Sequence, residues 1–342
     1  MWGRRGVPRF LSFLLALALV LATAAAAGAG PARIRIFHVN DFHGYAEPFR
    51  PFGSIFLEGG IAYLAARLKQ LRQERPSLLL AAGDMIQGDN WANLFQGAPV
   101  IEVMNAMGFD AMVVGNHEFD FGPEVLQRRI AQANFPVLGA NVAGLPGLRP
   151  YVIKKVGGVR VGIIGVVTPE TPTSNHPRNV AGLTFLRPEP VVSKYLAELR
   201  PRVDLVLVLS HLGYQADRRL AAQVPGIDVI VGGHSHTRLS RPVRVNGVII
   251  VQAHEYARVL GVLDLTVEAG KIAAFQGRLE DISPDFLAPD PVILEIVQKY
   301  ARQVDARLDG SGRHPHLQSG DQSGQPGGRR RPAGRRGGGG HH

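Results

Sequence analysis

Side chains that bind divalent metals well follow five short aliphatic segments of this chain. The five clusters are Asn40–His43, Gly83-Asp84, Gly115–Glu118, Ser210-His211 and Gly232–His236. They offer carboxylate and amide oxygens and imidazole nitrogens, a donor set suited to Zn, Mn, Fe or Co rather than to soft metals. The chain contains no cysteine, which excludes disulfides, thiolate zinc fingers, iron–sulfur clusters and thiol catalysis. The clusters therefore predict a metal site built without sulfur.

The number of donors indicates two metal ions rather than one. The candidate donors are Asp41, His43, Asp84, Asn116, His117, His211, His234 and His236. They are too many for a single ion, whereas two ions about 3.5–4 Å apart that share a bridging carboxylate would use them all. Such a pair generates hydroxide at neutral pH and binds both the attacking and the leaving oxygen in a displacement at phosphorus. The predicted chemistry is therefore hydrolysis of a phosphoester.

Two of the clusters carry more information than the others. A lone His or Asp after a strand usually serves a turn. An amide beside an imidazole, as in Asn116-His117, has few structural uses at a strand end. His234 and His236 lie two residues apart, so in an extended segment their side chains point the same way. The joint occurrence of all five clusters makes coincidence improbable.

Buried strands and amphipathic helices must position these clusters. Near-continuous aliphatic strands precede all five, at 34–39, 78–82, 111–114, 205–209 and 229–231. Such strands indicate a sheet buried on both faces. Apolar stripes predict helices at Ile61–Leu71, Val100–Met107 and Val191–Leu199, and another that starts at Pro123. This alternation predicts an α/β fold, in which ligands collect beyond the carboxyl ends of the strands.

The location of the net charge argues against a nucleic-acid-binding surface. The 342 residues carry a formal net charge of +10. Residues 1–30 hold +3 of it and residues 310–342 hold +5, which leaves +2 for the part between them. That part is close to neutral, so no nucleic-acid polymer is expected as a partner. A hydrophobic content of 45% excludes a wholly disordered chain.

Both ends differ in composition from the middle of the chain. Residues 1–30 begin with Arg4, Arg5 and Arg9, continue into an apolar run and finish in alanine and glycine, the pattern of an export signal peptide. An uncleaved membrane anchor is the alternative. Residues 310–342 are rich in glycine and arginine, which predicts disorder. The protein is expected to be exported to a bacterial periplasm, the cell envelope or the extracellular space, with membrane contact only through an uncleaved signal.

Taken in order, the clusters resemble the signature blocks of the calcineurin-like metallophosphoesterases. The blocks in question are Asn40–Gly44, Gly83–Gly88, Gly115–Asp120, Ser210-His211 and Gly233–Thr237. Within that superfamily the chain is similar to the secreted 5′-nucleotidase / UDP-sugar hydrolase family over about residues 33–285. The resemblance implies a four-layer αββα sandwich, two divalent metal ions and hydrolysis of phosphate esters of extracellular nucleotides.

The resemblance also implies a role for each motif residue. The first metal ion would be bound by Asp41, His43, Asp84 and His236. The second would be bound by Asp84, Asn116, His211 and His234. Asp84 then bridges the two ions. His117 would stabilise charge on the transferring phosphoryl group, and Asp120 would orient the imidazole of His117.

Three further residues near the motifs are not expected to act as metal ligands or catalytic groups. His254 either lines the site or has a structural role, and the sequence favours neither interpretation. His38 is expected to be packed within its strand. Glu118 is expected to support the ligands from behind or to pack against them.

Four segments follow from these assignments. They are a signal peptide at 1–30, a catalytic domain at 31–285, a linking helix within 286–309 and a disordered tail at 310–342. The helix is predicted from the apolar stripe of Pro291–Leu308. Relatives in the family usually carry a second domain after this helix, which holds the nucleobase, and the tail does not have the composition of such a domain.

Several functions remain open on the sequence alone. The leading hypothesis is a phosphoester hydrolase of the 5′-nucleotidase type that acts as a monomer on a small phosphoester or nucleotide. Two alternatives on the same fold are a cyclic-nucleotide phosphodiesterase/3′-nucleotidase and a thiosulfohydrolase. A third alternative, from another class, is a truncated, catalytically weak exported protein that binds metals.

Overall fold

The computed structural model describes residues 30–309. This part of the chain contains fourteen strands and eight α-helices. The first seven strands are β1 (Ala32–Val39), β2 (Ser77–Ala81), β3 (Ala111–Val113), β4 (Val137–Leu138), β5 (Val142–Ala143), β6 (Tyr151–Val156) and β7 (Val159–Val167). The other seven are β8 (Thr184–Phe185), β9 (Leu205–His211), β10 (Val229–Gly232), β11 (Val243–Val245), β12 (Val248–Gln252), β13 (Val259–Glu268) and β14 (Lys271–Asp281).

The helices fall between and after these strands. They are α1 (Ile61–Arg72), α2 (Asn90–Asn93), α3 (Ala98–Met107), α4 (Pro123–Gln132), α5 (Thr171–Ser174), α6 (Pro188–Leu199), α7 (Tyr214–Gln223) and α8 (Pro291–Asp309). Short 3₁₀ turns occur at His117–Phe119, Pro177–Val180 and Pro284–Phe286. The four helices predicted in the middle of the chain and the helix that begins at Pro291 are therefore confirmed.

Two six-stranded sheets carry the fold. The first has the strand order β14-β13-β1-β2-β3-β4 and the second has the order β11-β12-β10-β9-β7-β6. Strands β1 to β4 pair in parallel, as do β7, β9, β10 and β12. The carboxyl ends of the parallel strands in each sheet therefore meet at one edge.

The two sheets pack face to face between two layers of helices. Along β2, Leu78 and Leu80 belong to the apolar core between the sheets, while Leu79 and Ala81 belong to the core under the outer helices. The first outer layer contains α1, α3 and α4, and the second contains α6 and α7. This is the four-layer αββα sandwich that the resemblance implied, and the predicted α/β class is confirmed.

Three antiparallel hairpins depart from the predicted strand–helix alternation. Strand pairs β6/β7, β11/β12 and β13/β14 are joined directly by Gly157-Gly158, Asn246-Gly247 and Ala269-Gly270. Both residues of each turn have positive φ. Such two-residue turns match the twist of the flanking strands and leave no room for a helix. The predicted alternation of strands and helices is therefore correct for the parallel part of each sheet and wrong at the antiparallel edges.

Two predictions concern residues at the chain ends. The signal peptide at 1–30 and the tail at 310–342 lie outside the described residues, apart from Gly30. Among the described residues, no helix has both the length and the apolar character needed to cross a membrane.

Candidate metal centre

The five predicted clusters converge on one rim of the sandwich. Strands β1, β2 and β3 of the first sheet end at the clusters of Asp41, Asp84 and Asn116. Strands β9 and β10 of the second sheet end at those of His211 and His234. The fold thus brings together residues that are up to 195 positions apart in sequence, counted from Asp41 to His236.

Six of the side chains form two compact groups. Asp41, His43 and His236 form the first group, and Asp84, His211 and His234 form the second. Within each group the candidate ligand atoms all lie within 4.8 Å of one another. The groups adjoin, because Nε2 of His43 lies 3.8 Å from Oδ2 of Asp84. The spacing suits two neighbouring cations with Asp84 between them.

Strained backbone conformations mark these same residues. Positive φ angles occur at Asp41 (51°), His43 (51°), Asp84 (54°), His234 (75°) and His236 (50°). Such angles are uncommon outside glycine, and each costs free energy that the surrounding structure must supply. Backbone hydrogen bonds from Asp41 to Gly83 (2.9 Å) and from His43 to Asp84 (3.0 Å) fix the two loops to each other.

Hydrogen bonds set the orientation of three of the imidazole rings. Nδ1 of His43 bonds to the carbonyl of Gln87 at 2.9 Å, and Nδ1 of His211 bonds to the carbonyl of Ala82 at 2.7 Å. A carbonyl only accepts, so each Nδ1 carries a proton and Nε2 is the nitrogen that faces the group and is available to a metal ion. Nδ1 of His236 instead contacts a side chain, the carboxylate of Glu255.

The second group contains a strongly coupled buried pair. Nε2 of His211 lies 3.0 Å from Oδ2 of Asp84. Burial lowers the pKa of His211, but the carboxylate of Asp84, together with Asp41 and the carbonyl of Ala82, raises that pKa to about 10. Burial likewise acts to raise the pKa of Asp84, but His211, together with His117 and His43, outweighs burial, so this pKa lies below its ordinary value. A bound cation would take the place of the proton on His211, because imidazole ligates through a deprotonated nitrogen.

Unpartnered polar atoms show that the residues fit a metal ion. Oδ1 of Asn116 is buried and makes no hydrogen bond within residues 30–309, and Nε2 of His211 lies 3.0 Å from the Asp84 carboxylate without the geometry of a hydrogen bond. Buried polar atoms without a partner are rare. Gly115 lets the backbone approach closely, because a Cβ there would lie 2.2 Å from Oδ1 of Asp84. Oxygen and imidazole donors aimed at a common space match Zn, Mn, Fe or Co.

His117 and Asp120 lie beside both groups. Nδ1 of His117 bonds to the Asp120 carboxylate at 2.6 Å, and this bond raises the pKa of His117. The backbone N–H of His117 donates to Oδ1 of Asp84 at 2.9 Å. Its ring packs edge-on against that of His43 at 5.3 Å between centroids. A half-buried imidazole that favours its charged form can therefore face an anion held at the two groups.

Glu118 ties the loops after β2 and β3 together. Its buried carboxylate accepts backbone N–H bonds from Asp84, Met85, Ile86 and Gly115 at 2.5–3.2 Å. Burial raises its pKa to about 7, whereas the four donors favour the ionised form. Glu118 therefore fixes the backbone of Asp84 relative to that of Asn116.

The two other histidines near the motifs occupy different surroundings. His254 bonds through Nδ1 to the carbonyl of His236 at 3.0 Å and through Nε2 to Arg258 at 3.1 Å. It therefore supports a loop of the first group and belongs to neither group of candidate ligands. His38 is buried in β1 opposite Gly261 of β13, and burial lowers its pKa to about 3.

Sequence reasoning missed Glu255 and Arg258 as parts of this site. Both follow β12, which lies parallel to β10 and ends at the same rim. The aliphatic run of β12 before Gln252 was a signal of the same kind as the other five, so a sixth strand end could have been found.

A sequence model of the family described as calcineurin-like phosphoesterase matches residues 34–238. The chain belongs to the calcineurin-like phosphoesterase family. The match includes every candidate ligand, and it confirms the resemblance, the fold and the expectation of a metallophosphoesterase-type hydrolase. The two groups of candidate metal ligands are consistent with metal binding in a member of this family.

Curated relatives agree with the family. The chain is 34% identical to a 5′-nucleotidase from Bos taurus over 316 residues, which cover 80% of this chain and 54% of the relative. It is 33% identical to a 5′-nucleotidase from Homo sapiens, with coverage of 80% and 53%. The chain thus spans about half the length of the curated relatives it matches.

Solved structures show the same fold. A 5′-nucleotidase precursor from Thermus thermophilus matches with a TM-score of 0.74 and 34% identity, covering 80% of this chain and 59% of that one. Like the curated relatives, this structure extends beyond the part that the present chain matches.

Proposed function

We propose that the chain is a dinuclear metal-dependent phosphoesterase of the 5′-nucleotidase type that hydrolyses the phosphoester of extracellular nucleotides. The observation that carries the proposal is the pair of adjoining ligand groups, with Asp84 3.8 Å from His43 of one group and 3.0 Å from His211 of the other. The names of the relatives at 33–34% identity support the nucleotide as substrate.

The proposal assigns seven residues to the metals and two to catalysis. The metal ligands are Asp41, His43, Asp84, Asn116, His211, His234 and His236. When bound, the two ions lower the pKa of water and offset negative charge on the phosphoryl oxygens. His117 donates a hydrogen bond from Nε2 to a phosphoryl oxygen and neutralises the charge that develops there. Asp120 keeps the proton on Nδ1 of His117 and holds its ring in place.

The proposal also includes export and the domain boundaries. The signal-like composition of residues 1–30 and the word precursor in the name of the Thermus thermophilus relative support export. We place the catalytic domain at 31–285, a linking helix within 286–309 and the monomer as the working form.

Phosphate release tests this function. The purified chain is assayed with AMP, 3′-AMP, cyclic AMP and an aryl phosphate, with Mn²⁺ or Co²⁺ added and after chelation. We expect metal-dependent release from AMP and from the aryl phosphate, and none after chelation. Preference for 3′-AMP and cyclic AMP would favour the phosphodiesterase alternative. Two bound metal ions with no turnover of any ester would contradict the enzyme and favour a metal-binding protein.

A further inference from the structure

We infer that Glu255 is a positioning residue that orients the His236 imidazole, so that Nε2 of His236 faces the first ligand group. The inference rests on the metal-dependent function proposed above. It assigns Glu255 no contact with the metal or the substrate. Its action is on the ring of a neighbouring ligand.

The contacts of His236 place its two nitrogens in different surroundings. Nε2 lies 3.2 Å from Oδ1 of Asp41, within the first group. Nδ1, on the other side of the ring, contacts Oε2 of Glu255. Because a carboxylate accepts hydrogen bonds, this contact keeps a proton on Nδ1 and makes Nε2 the nitrogen that is available to a metal ion. A carboxylate behind a ligating histidine fixes its tautomer and increases its basicity.

His236 needs such a partner more than His43 and His211 do. His43 and His211 are held by backbone carbonyls and have side chains 11% and 0% exposed. The side chain of His236 is 32% exposed and its backbone has a φ of 50°. A half-exposed ring loses rotamer freedom when it binds a metal, and a fixed partner lowers that loss.

A closed ring of contacts holds Glu255 in turn. Arg258 lies 3.6 Å from Oε1 of Glu255 and bonds to Nε2 of His254 at 3.1 Å. His254 bonds through Nδ1 to the carbonyl of His236 at 3.0 Å, so the contacts that begin at the His236 ring lead back to the His236 backbone. Two bonds of 2.6 and 2.7 Å anchor Arg258 to Glu58. The side chain and the backbone of His236 are thus fixed through one arginine.

Measurements of metal affinity distinguish a role of Glu255 in orienting His236 from a general structural role. The metal-free wild-type chain, Glu255→Leu and Glu255→Gln are titrated with Co²⁺ by calorimetry and visible absorption. We expect two Co²⁺ ions in the wild type, and a loss of about 10–100-fold in one of the two affinities for Glu255→Leu. Glu255→Gln should lose less, because its amide oxygen still accepts from Nδ1. Glu280→Gln is the matched control, since Glu280 of β14 pairs with Arg67 of α1 and with Arg278 of β14, and it should keep both affinities.

A double-mutant cycle shows whether Glu255 acts through His236. In a His236→Ala background, Glu255→Leu should cause no further loss of Co²⁺ affinity. A further loss of equal size would overturn the inference, as would unchanged affinities in the single Glu255→Leu variant. A wild type that binds fewer than two Co²⁺ ions would instead contradict the proposed function, so the two failures are distinguishable.

One measurement does not depend on whether Glu255→Leu folds. Nitrogen-15 NMR of the Zn²⁺-loaded wild type reports which imidazole nitrogen of His236 carries the proton. The inference predicts a protonated Nδ1 and a metal-bound Nε2. A protonated Nε2 would overturn it.

Discussion

The two ligand groups at the rim of this sandwich are built in different ways. Each group has two buried residues and one partly exposed histidine, and the second group is centred on a buried pair whose side chains are 0% exposed at His211 and 3% exposed at Asp84. Backbone atoms hold it, through Ala82 behind His211 and the four N–H groups around Glu118. The first group includes a half-exposed histidine, His236, and its orientation depends on side chains.

This difference connects each group to a different part of the fold. The Asp84–His211 pair of the second group lies at strand ends in the middle of both sheets, so it is part of the folded core. The first group also requires the segment after β12, where Glu255 and Arg258 lie. We therefore expect damage to the second group to reduce both stability and metal binding. Damage to His236 should affect one metal ion and leave the fold intact.

Replacing the shared carboxylate should have the largest effect. Asp84→Asn removes the charge between the two groups, so both metal affinities and turnover should fall. We expect phosphate release to drop by on the order of 10³-fold, the scale of losing a major charge-stabilising group. Steady-state rates and metal content per chain measure this. Full activity in Asp84→Asn would rule out a carboxylate shared by two ions.

The His117 variant should separate chemistry from metal binding in both groups. His117→Ala removes an imidazole that lies beside the groups but is not counted among the ligands. We expect kcat to fall about 10²–10³-fold with both metal affinities retained. Calorimetry with Mn²⁺ beside the rate assay checks this. Loss of a metal ion in this variant would move His117 into the ligand set.

The contrast in burial predicts a contrast in stability without metal. His211→Ala leaves the buried Asp84 charge without its partner, which should lower the free energy of unfolding by about 3–5 kcal/mol. His236→Ala removes a partly exposed ring, and the buried Asp41 keeps N–H donors from Asn40 and His234, so the cost should be about 1 kcal/mol. Urea unfolding in the presence of chelator measures both. Equal losses would contradict the stronger dependence of the fold on His211 than on His236.

A buried acid behind the second group should change only the pH dependence of stability. Asp217 in α7 accepts a hydrogen bond from Ser210, the residue before His211, and burial raises the pKa of Asp217 to about 7. The folded state therefore binds an extra proton between the ordinary pKa of 3.8 and about 7. Stability from this group is present below pH 3.8 and is lost as the pH rises to about 7.

The Asp217→Asn variant tests whether the ionisation of Asp217 lowers stability as the pH rises. It should remove this part of the pH dependence and gain stability relative to the wild type at pH 8, by a few kcal/mol at most, since about 1.4 kcal/mol corresponds to one pKa unit. Unfolding in urea with chelator at pH 5 and pH 8 measures the difference. The prediction would be contradicted if the wild type became more stable from pH 5 to pH 8 and the variant did not.

Much of this site was predictable because each main ligand follows a recognisable strand. The aliphatic runs before Asp41, Asp84 and His211 identified parallel strands, and strand ends of a parallel sheet share an edge. The positive φ angles of the ligands were not predictable, because aspartate and histidine rarely adopt them without tertiary constraint.

Contacts made in three dimensions account for what the sequence did not reveal. Glu255 meets His236 across neighbouring parallel strands, although the two residues are 19 positions apart in sequence. No local pattern encodes such a contact. The hairpin turn at Asn246-Gly247 was a readable signal, and recognising it would have exposed β12 and the rim segment that follows.

The central claim is that one chain holds two metal ions with Asp84 between them. Electron paramagnetic resonance of the Mn²⁺-loaded chain tests it most directly, because ions about 3.5–4 Å apart couple magnetically. We predict two Mn²⁺ per chain with a spin-coupled spectrum in the wild type, and loss of the coupling in Asp84→Asn. One Mn²⁺ per chain, or two with the uncoupled spectrum of isolated ions, would contradict the account.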